Sequence, residues 1–254
     1  MRFLIVRRKS LLIVLGALVL SLMILGAQNS IKSVVANNLK PIYSAKVTNN
    51  RIAITFDISW GSQNVLPILD ILNQEKIKAT FFLSSPWAED HQELVGQIVA
   101  NGHEVGSHGR RHVDFNTLSE STLIEELRLA KDVLEKTTKQ KITLLRPPNG
   151  AYNNKVISIA TNQGYRVIQW SVDSLDWKKP GPQMVIEYVI NGRKSNKGAS
   201  PGDIILFHAS DSAPDTPLAL PTIIKTLKEK NYELVPVGIL LNDAVETWPP
   251  ESNL

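Results

Sequence analysis

The sequence predicts an α/β fold, a (β/α) barrel of about seven parallel strands that follows an N-terminal transmembrane or signal segment. Short β-rich runs alternate with helical patterns of about ten or more residues, which is typical of parallel crossover units. Seven such units follow one another with no internal repeat or low-complexity tract. So many units in one domain favour a closed or nearly closed barrel, while periodicity alone leaves a doubly wound open sheet as the alternative.

Composition supports one folded domain of ordinary size. The chain has 254 residues, of which 43% are hydrophobic and 20% charged, and this balance excludes an intrinsically disordered protein. The absence of cysteine excludes a disulfide scaffold, a thiolate zinc site and a cysteine nucleophile. The net charge of +4 comes from the first nine residues, since the rest carries 24 basic and 24 acidic residues. We therefore expect no nucleic-acid partner.

The N-terminus has the pattern of an export signal. Four cations, Arg2, Arg7, Arg8 and Lys9, precede an uncharged apolar run over residues 10–27 that is just long enough to span a bilayer. This predicts a signal anchor or signal peptide over residues 1–27. The anchor is favoured because the cleavage site at residues 25–27 is poor and the acceptable one at residues 34–36 is distant from the apolar run. The cations should stay in the cytoplasm, which makes the protein membrane-anchored with an extracytoplasmic domain, or secreted. We expect a linker over residues 28–50, the folded domain over 51–243 and a C-terminal tail over 244–254.

The first two units are clearly marked. Arg51–Asp57 is a β-rich run, and the apolar spacing over Asn64–Glu75 predicts the helix that follows it. Lys78–Ser84 predicts the second strand. The helix over Gln92–Asn101 should end where Gly102 interrupts the pattern.

The third unit contains a short strand, His103–His108, and a long helix, Ser119–Lys136. Ser119 can cap this helix, and four apolar residues share one of its faces: Leu123, Leu127, Ala130 and Leu134. The later strands are predicted over Thr143–Arg146, Arg166–Val172, Asp203–Phe207 and Tyr232–Val235. The later helices are predicted over Asn153–Gln163, Gln183–Asn191 and Pro217–Lys230.

Unusual polar residues lie where these strands end. Asp57, His108, Arg146 and His208 end four of them, and Asp173, Asp176 and Trp177 follow a fifth. Taken singly, each has a structural explanation as a turn former, a cap or a stiff strand exit. Parallel strands build active sites at their carboxyl ends, so the coincidence predicts one site. The three residues between His108 and His112 would place both imidazoles on one side of a helical turn, a spacing found in metal sites.

Five ordered motifs carry a family resemblance. They are Thr55-Phe56-Asp57, Ser107-His108-Gly-Arg-Arg-His112, Arg146-Pro147-Pro148-Asn149-Gly150, Asp173-Ser-Leu-Asp176-Trp177 and Leu206-Phe207-His208. This set resembles the NodB-homology polysaccharide deacetylases, carbohydrate esterase family 4, over about residues 50–240. The run Phe56–Gly61 together with one N-terminal anchor looks most like the sporulation-associated branch.

The resemblance implies a role for each motif residue. Asp57 matches the general base, Arg146 its ion-pair partner, His208 the general acid and Asp176 the carboxylate that holds the acid. His108 and His112 match ligands of a divalent metal, with zinc first and cobalt or manganese as alternatives. The substrate-binding residues would be Asn149, through its backbone N–H, and Trp177 and Leu206 as an apolar wall. The implied reaction is N-deacetylation of a cell-wall glycan such as peptidoglycan, by a protein we expect to be monomeric.

Two positions depart from the family pattern. Ile58 stands where a second aspartate usually supplies the third metal ligand, and Asn149 replaces an aromatic residue. Two imidazoles without a carboxylate bind a divalent ion weakly, and Asp57, Ser59 or a substrate oxygen could complete the shell. Ile58 also supports a second hypothesis, a catalytically impaired glycan-binding or wall-assembly protein. A small-molecule amidase of the same fold is a minor third option.

Overall fold

A computed structural model describes residues 39–193, 196–244 and 246–248, together with Ser21. Apart from that serine, the predicted signal segment over residues 1–27 lies outside the described residues, as do residues 28–38 of the predicted linker. Within the described ranges, no helix has the length and apolar character needed to cross a bilayer.

Strands and helices alternate along the described chain. The strands are β1 (Ser44–Lys46), β2 (Arg51–Ile58), β3 (Thr80–Leu83), β4 (Glu104–Ser107), β5 (Leu144–Leu145), β6 (Arg166–Val167), β7 (Val172–Asp173), β8 (Gly192–Arg193), β9 (Asn196–Lys197), β10 (Ile204–His208), β11 (Glu233–Val235) and β12 (Glu246–Trp248). The helices are α1 (Val65–Gln74), α2 (Ser85–Asp90), α3 (Gln92–Ala100), α4 (Glu120–Thr138), α5 (Asn154–Asn162), α6 (Pro182–Ile190), α7 (Thr216–Glu229) and α8 (Val237–Asn242).

The central sheet has the strand order of a barrel. Its strands run β6-β5-β4-β3-β2-β10-β7, all pairs are parallel, and β11 pairs with the first residues of β2. Apart from β11, the strands therefore follow one another in chain order around a circle that is open between β6 and β7. A doubly wound sheet would reverse its order at an interior switch point, so that alternative is wrong. The prediction of a (β/α) barrel of about seven parallel strands is confirmed.

The opening corresponds to the strand predicted over Arg166–Val172, which the structure divides into two. β6 pairs with β5, whereas β7 pairs with β10 on the other side of the circle. Between them, Ile168 forms a parallel bridge with Ile42, and the N–H of Gln169 donates to the Ile42 carbonyl oxygen over 2.7 Å. The sequence run is continuously β-rich, so local pattern alone could not show where the chain changes partner.

The folded unit also extends beyond its predicted ends. β1 falls within the predicted linker and β12 within the predicted tail, and the two pair antiparallel. The N–H of Ala45 donates to the Gly202 carbonyl oxygen, and Ala45 is buried in the core. Residues 42–46 therefore pack on the barrel beside its opening instead of forming a free linker.

Most predicted helices are present within one or two residues of their expected ends. The hydroxyl of Ser119 accepts from the Thr122 N–H and caps α4 as expected. Asn153 caps α5 in the same way by accepting from the Val156 N–H. The sequence patterns missed the two six-residue helices α2 and α8, because such short segments show little periodicity.

The barrel interior is filled by aromatic side chains below the carboxyl ends of the strands. Phe56 stacks on Phe81 and on Phe207, with ring centroids 5.0 and 5.7 Å apart. All three rings are fully buried, and they belong to the adjacent strands β2, β3 and β10. This packing fixes the strand ends on which the polar residues lie.

Candidate active site

A cavity of about 370 Å³ opens at the carboxyl ends of the strands. Seven of the nine predicted site residues line it: Asp57, His108, His112, Asn149, Trp177, Leu206 and His208. The other two, Arg146 and Asp176, are fully buried behind this wall and contact lining residues. The structure therefore brings all nine residues together.

Asp57 and Arg146 form a buried ion pair on one side of the cavity. Arg146 Nη1 donates to Asp57 Oδ1 over 2.8 Å and to Thr55 Oγ1 over 2.8 Å, while Nη2 donates to the Gln169 carbonyl oxygen. The guanidinium carbon also lies 4.2 Å from the ring centre of Phe82, a favourable cation–π contact. These contacts hold one carboxylate oxygen of Asp57 and leave Oδ2 facing the cavity.

The charge of Arg146 decides the protonation state of Asp57. Burial alone would raise the pKa of this carboxyl, but Arg146 and the nearby imidazoles outweigh burial and lower it below its ordinary value. The carboxylate is therefore ionised at neutral pH, which a general base requires.

His208 and Asp176 form a second pair on the opposite side. His208 Nδ1 donates to Asp176 Oδ1 over 2.7 Å, and Asp176 Oδ2 accepts from the His208 backbone N–H and from Thr216 Oγ1. The Trp177 N–H is a further donor to Oδ1. Four hydrogen bonds thus fix the carboxylate, which in turn orients the ring and directs Nε2 away from Asp176.

The same carboxylate sets the proton affinity of His208. Burial would lower the pKa of the imidazole, but the hydrogen bond and charge of Asp176 outweigh it, helped by Asp57 and Asp173. The pKa is raised above its ordinary value, so His208 can carry a proton at neutral pH. A carboxyl group with a lowered pKa and an imidazole with a raised pKa therefore line one cavity.

His108 and His112 lie on the loop after β4, with ring centroids 5.4 Å apart. The chain bends over residues 110–113 without forming a helix, so the predicted helical turn for this pair is wrong, although the two rings do meet. His108 Nδ1 donates to the Arg146 carbonyl oxygen over 2.8 Å, and its Nε2 lies 3.8 Å from Asp57 Oδ2. Burial lowers the pKa of His108 to about 4, so Nε2 presents a lone pair.

A buried glutamate holds this histidine loop in place. Glu126 on α4 accepts from the backbone N–H groups of Arg110 and Arg111 and from Arg111 Nε. Glu126 itself is 3% exposed, which is unusual for a carboxylate and is explained by these three donors. The position of His112 thus depends on a residue of the neighbouring helix.

The donor set does not fit a resident metal ion with three protein ligands. Ile58 is completely buried and does not line the cavity, so this position supplies only apolar contacts. In the described part of the chain, no group of three His, Cys, Asp or Glu side chains is arranged to hold an ion. The two imidazoles alone remain as candidate ligands.

Leu206 and Trp177 form an apolar part of the cavity wall. Leu206 is buried in β10, and Trp177 lies in the 3₁₀ turn Asp176–Lys178 after β7 with 47% of its surface exposed. Asn149 has a left-handed backbone (φ 57°), which asparagine tolerates better than most residues. Its side-chain amide donates to Asp114 Oδ1 over 2.8 Å, which connects this turn to the segment that contains Asp114.

Sequence reasoning missed several residues of the site. Thr55, Gln169 and Thr216 hydrogen-bond Arg146 or Asp176, and Trp60 lines the cavity with its ring 5.2 Å from that of His112. Glu126 had a sequence signal, because it is a charged residue on the apolar face of α4 that contains Leu123 and Leu127. Thr55 and Trp60 lie close to Asp57 in the chain, within the runs that carry the family resemblance, but no role was assigned to them. Gln169 and Thr216 lie on distant segments and carry no local pattern.

Comparison with known proteins places the chain in a family. The polysaccharide deacetylase family model matches residues 44–168. A peptidoglycan-N-acetylglucosamine deacetylase of Bacillus cereus is 34% identical over 201 residues, which cover 77% of this chain and 91% of the relative. The uncharacterized protein YlxY of Bacillus subtilis is 30% identical over 80% of this chain, but the match spans only 61% of YlxY.

Solved structures agree with this assignment. A carbohydrate esterase family 4 pseudoenzyme from Bacillus anthracis has a TM-score of 0.74 and 32% identity, over 80% of this chain and 69% of that chain. A mutant of that pseudoenzyme with restored enzymatic activity matches with the same TM-score. Together with the strand order and the five motifs, these similarities show that the chain belongs to the polysaccharide deacetylase family.

Proposed function

We propose that this protein hydrolyses N-acetyl groups of a cell-wall glycan, with peptidoglycan amino sugars as the substrate class. The observation that carries the proposal is the opposed pair Asp57 and His208 in one cavity. Arg146 lowers the pKa of the first, and Asp176 raises the pKa of the second. A module that only binds glycan needs neither arrangement. The names of the relatives support the same substrate class, since one is a peptidoglycan deacetylase.

In the proposed reaction, Asp57 and His208 each transfer one proton. Asp57 removes a proton from a water molecule as its oxygen bonds to the acetamide carbonyl carbon. His208 then gives its proton to the nitrogen as the C–N bond breaks, so that acetate and a free amine leave. The backbone N–H of Asn149 would donate to the oxyanion, and Trp177 and Leu206 would enclose the acetyl methyl group.

We also propose that His108 and His112 bind divalent ions weakly, zinc before cobalt or manganese. When bound, such an ion supplies Lewis-acid chemistry to the carbonyl and the water. Because Ile58 gives no third anionic ligand, dialysis should remove the ion readily. Ile58→Asp should tighten binding only if the new carboxylate can leave its buried position, which isothermal titration with zinc would measure.

Acetate release from purified peptidoglycan by the full chain tests the deacetylase proposal. Asp57→Asn and His208→Ala should each lower the rate by about 10²-fold or more, because each removes a proton-transfer group. Asp70→Asn, which changes a carboxylate on the outer helix α1, should keep the parental rate. No acetate from the parent at any concentration of added zinc, cobalt or manganese would contradict the proposal.

A catalytically impaired glycan-binding or wall-assembly protein is the second candidate function. The buried, apolar Ile58 favours it, as does the similarity to a family 4 pseudoenzyme. Measuring glycan binding and acetate release of the parent together distinguishes the two proposals. The second proposal predicts that the parent binds glycan equally well with and without chelator and releases no acetate.

The proposal also concerns where the protein is located and in which process it acts. We propose that residues 10–27 anchor a monomeric protein in the membrane, with its domain outside the cytoplasm and a use in spore formation. The sequence of residues 1–27 is the basis for the location. Protease added to intact protoplasts should digest the domain; protection until the membrane is lysed would contradict the topology.

A further inference from the structure

Trp60 exposes a large aromatic surface at the opening of the catalytic cavity. It lies in the loop after β2, lines the cavity and has 47% of its surface exposed. Among the residues whose side chains the structure describes, Trp60 and Trp177 are the only exposed tryptophans, and both line this cavity. Exposed aromatic side chains that cluster at one opening are typical of a ligand-binding surface.

The two tryptophans adjoin different groups of the site. Trp177 follows Asp176, the carboxylate that binds the ring of His208. Trp60 instead packs against His112, with ring centres 5.2 Å apart and ring planes at 82°. Trp177 has a role in the proposed reaction as the wall for the acetyl methyl group. Trp60 is therefore a second aromatic surface, on the side of the histidine loop, that the proposed reaction leaves without a substrate group.

The loop that carries Trp60 is fixed by hydrogen bonds and close packing. The Gly61 carbonyl oxygen accepts from Nε1 of the buried Trp87 over 2.6 Å, and the Gln63 N–H donates to Asp211 Oδ1 over 2.8 Å. Gly61 has a φ of +72°, and a Cβ there would lie 2.2 Å from Asp211 Cγ, so only glycine fits. A fixed main chain lowers the ordering cost that a ligand of Trp60 must overcome.

We propose that Trp60 binds the sugar residue next to the one that is deacetylated, so that the protein prefers a glycan chain to a single amino sugar. The cavity of about 370 Å³ is at the lower end of the range for small-molecule sites, so a longer glycan continues across its rim. The C–H groups on one face of a pyranose ring carry partial positive charge and pack on the negative face of an indole ring. This inference rests on the proposed deacetylation and identifies its substrate by length.

Binding of defined oligosaccharides tests the role of Trp60 without requiring activity. The probes are N-acetylglucosamine and its linear tetramer, chitotetraose, titrated calorimetrically into the full chain with chelator present. We expect the parent to bind the tetramer more tightly than the monomer. Trp60→Ala should weaken tetramer binding about tenfold or more and leave monomer binding unchanged, because the lost apolar contact is made to the neighbouring sugar. Trp60→Phe keeps an aromatic ring and should retain most of the affinity.

Leu66→Ala is the matched control, since Leu66 is also an exposed apolar side chain but lies on α1 outside the cavity. It should bind both sugars like the parent. If Trp60 only packed against His112, Trp60→Ala would bind the tetramer with parental affinity, and this result would overturn the inference.

Two further results would also overturn it. One is equal weakening of monomer and tetramer binding in Trp60→Ala, which would indicate a distorted cavity, and the other is no tetramer binding by the parent. Tetramer binding that depends on Trp60, with no acetate released after zinc is added, would contradict the deacetylase function but support the sugar contact.

Discussion

His208, at the end of β10, and His108, directly after β4, line the same cavity, yet they have opposite acid–base character. Each uses Nδ1 to contact a group behind the cavity wall, Asp176 for His208 and the Arg146 carbonyl oxygen for His108. The pKa of His208 is raised, whereas burial lowers that of His108 to about 4. Burial opposes the proton on both rings; the carboxylate of Asp176, helped by Asp57 and Asp173, outweighs it at His208, whereas at His108 the carbonyl is neutral and His112 and Arg146 act in the same direction as burial.

Removal of the Arg146 side chain should have the largest effect, on both stability and activity. Arg146→Met keeps a long apolar side chain but leaves Asp57 buried without a counter-charge. Breaking a buried ion pair in this way costs about 3–5 kcal/mol, so the free energy of unfolding should fall by that amount. Denaturant unfolding measures it, and acetate release should be abolished because the base would no longer be held ionised.

Arg128→Met is the control for that experiment. Arg128 pairs with Glu125 and Asp132 on the exposed face of α4, where solvent screens the charges. Its replacement should leave the unfolding transition within the error of the measurement. A stability of Arg146→Met equal to that of the Arg128 variant would show that the buried pair contributes little.

Asp176→Asn should convert His208 toward the state of His108. The variant keeps the size of the side chain but replaces the charged acceptor with a neutral amide, so the pKa of His208 should fall below its ordinary value. Deacetylation should then decrease by about 10²-fold at neutral pH, because the acid has lost its proton. NMR titration of the ring together with acetate release checks both effects. An unchanged pKa would mean that Asp176 orients the ring without setting its charge.

The pH dependence of the parent protein should also distinguish the two histidines. Activity should rise with pH as Asp57 ionises, below the usual carboxyl range, and fall above the usual imidazole range as His208 loses its proton. The two histidines should contribute to stability with opposite pH dependence. The contribution of His208 is complete below its unfolded pKa and is lost as pH rises through its raised folded pKa. That of His108 is lost as pH falls from 6.5 to about 4.

Separate unfolding curves of His208→Gln and His108→Gln across pH can distinguish these contributions. In His208→Gln, the free energy of unfolding should no longer decrease at high pH. In His108→Gln, it should no longer decrease as pH falls from 6.5 to about 4. Chelator is present throughout, so that bound ions do not add their own pH dependence. Identical curves for the two variants would contradict the difference in protonation.

The sequence predicts this site well because strand ends and chemistry coincide. Asp57 and His208 end long β-rich runs, so their placement follows from strand direction once the fold is a parallel barrel. Thr216 could not be found in this way, since it reaches Asp176 from the first residue of α7, 40 positions along the chain. The division of Arg166–Val172 was missed for a related reason, because pairing partners are set by tertiary packing and not by local β propensity.

The smallest expected effect concerns Glu126, which holds the loop of His112 through backbone N–H groups and does not contact the imidazole, whereas Asp176 contacts the His208 ring directly. Glu126→Gln keeps one carbonyl oxygen for the backbone N–H groups of Arg110 and Arg111, but it places an amide NH₂ against Arg111 Nε. The loss of one charge-assisted hydrogen bond should lower the free energy of unfolding by about 1–3 kcal/mol and change activity only a few-fold. Amide hydrogen exchange should become faster at Arg110 and Arg111 while it stays slow in the strands. Glu125→Gln, one residue earlier on the exposed side of α4, should leave that exchange unchanged. If both variants exchange like the parent, the loop keeps its position without the buried carboxylate, and the His108–His112 contact is set by the loop itself.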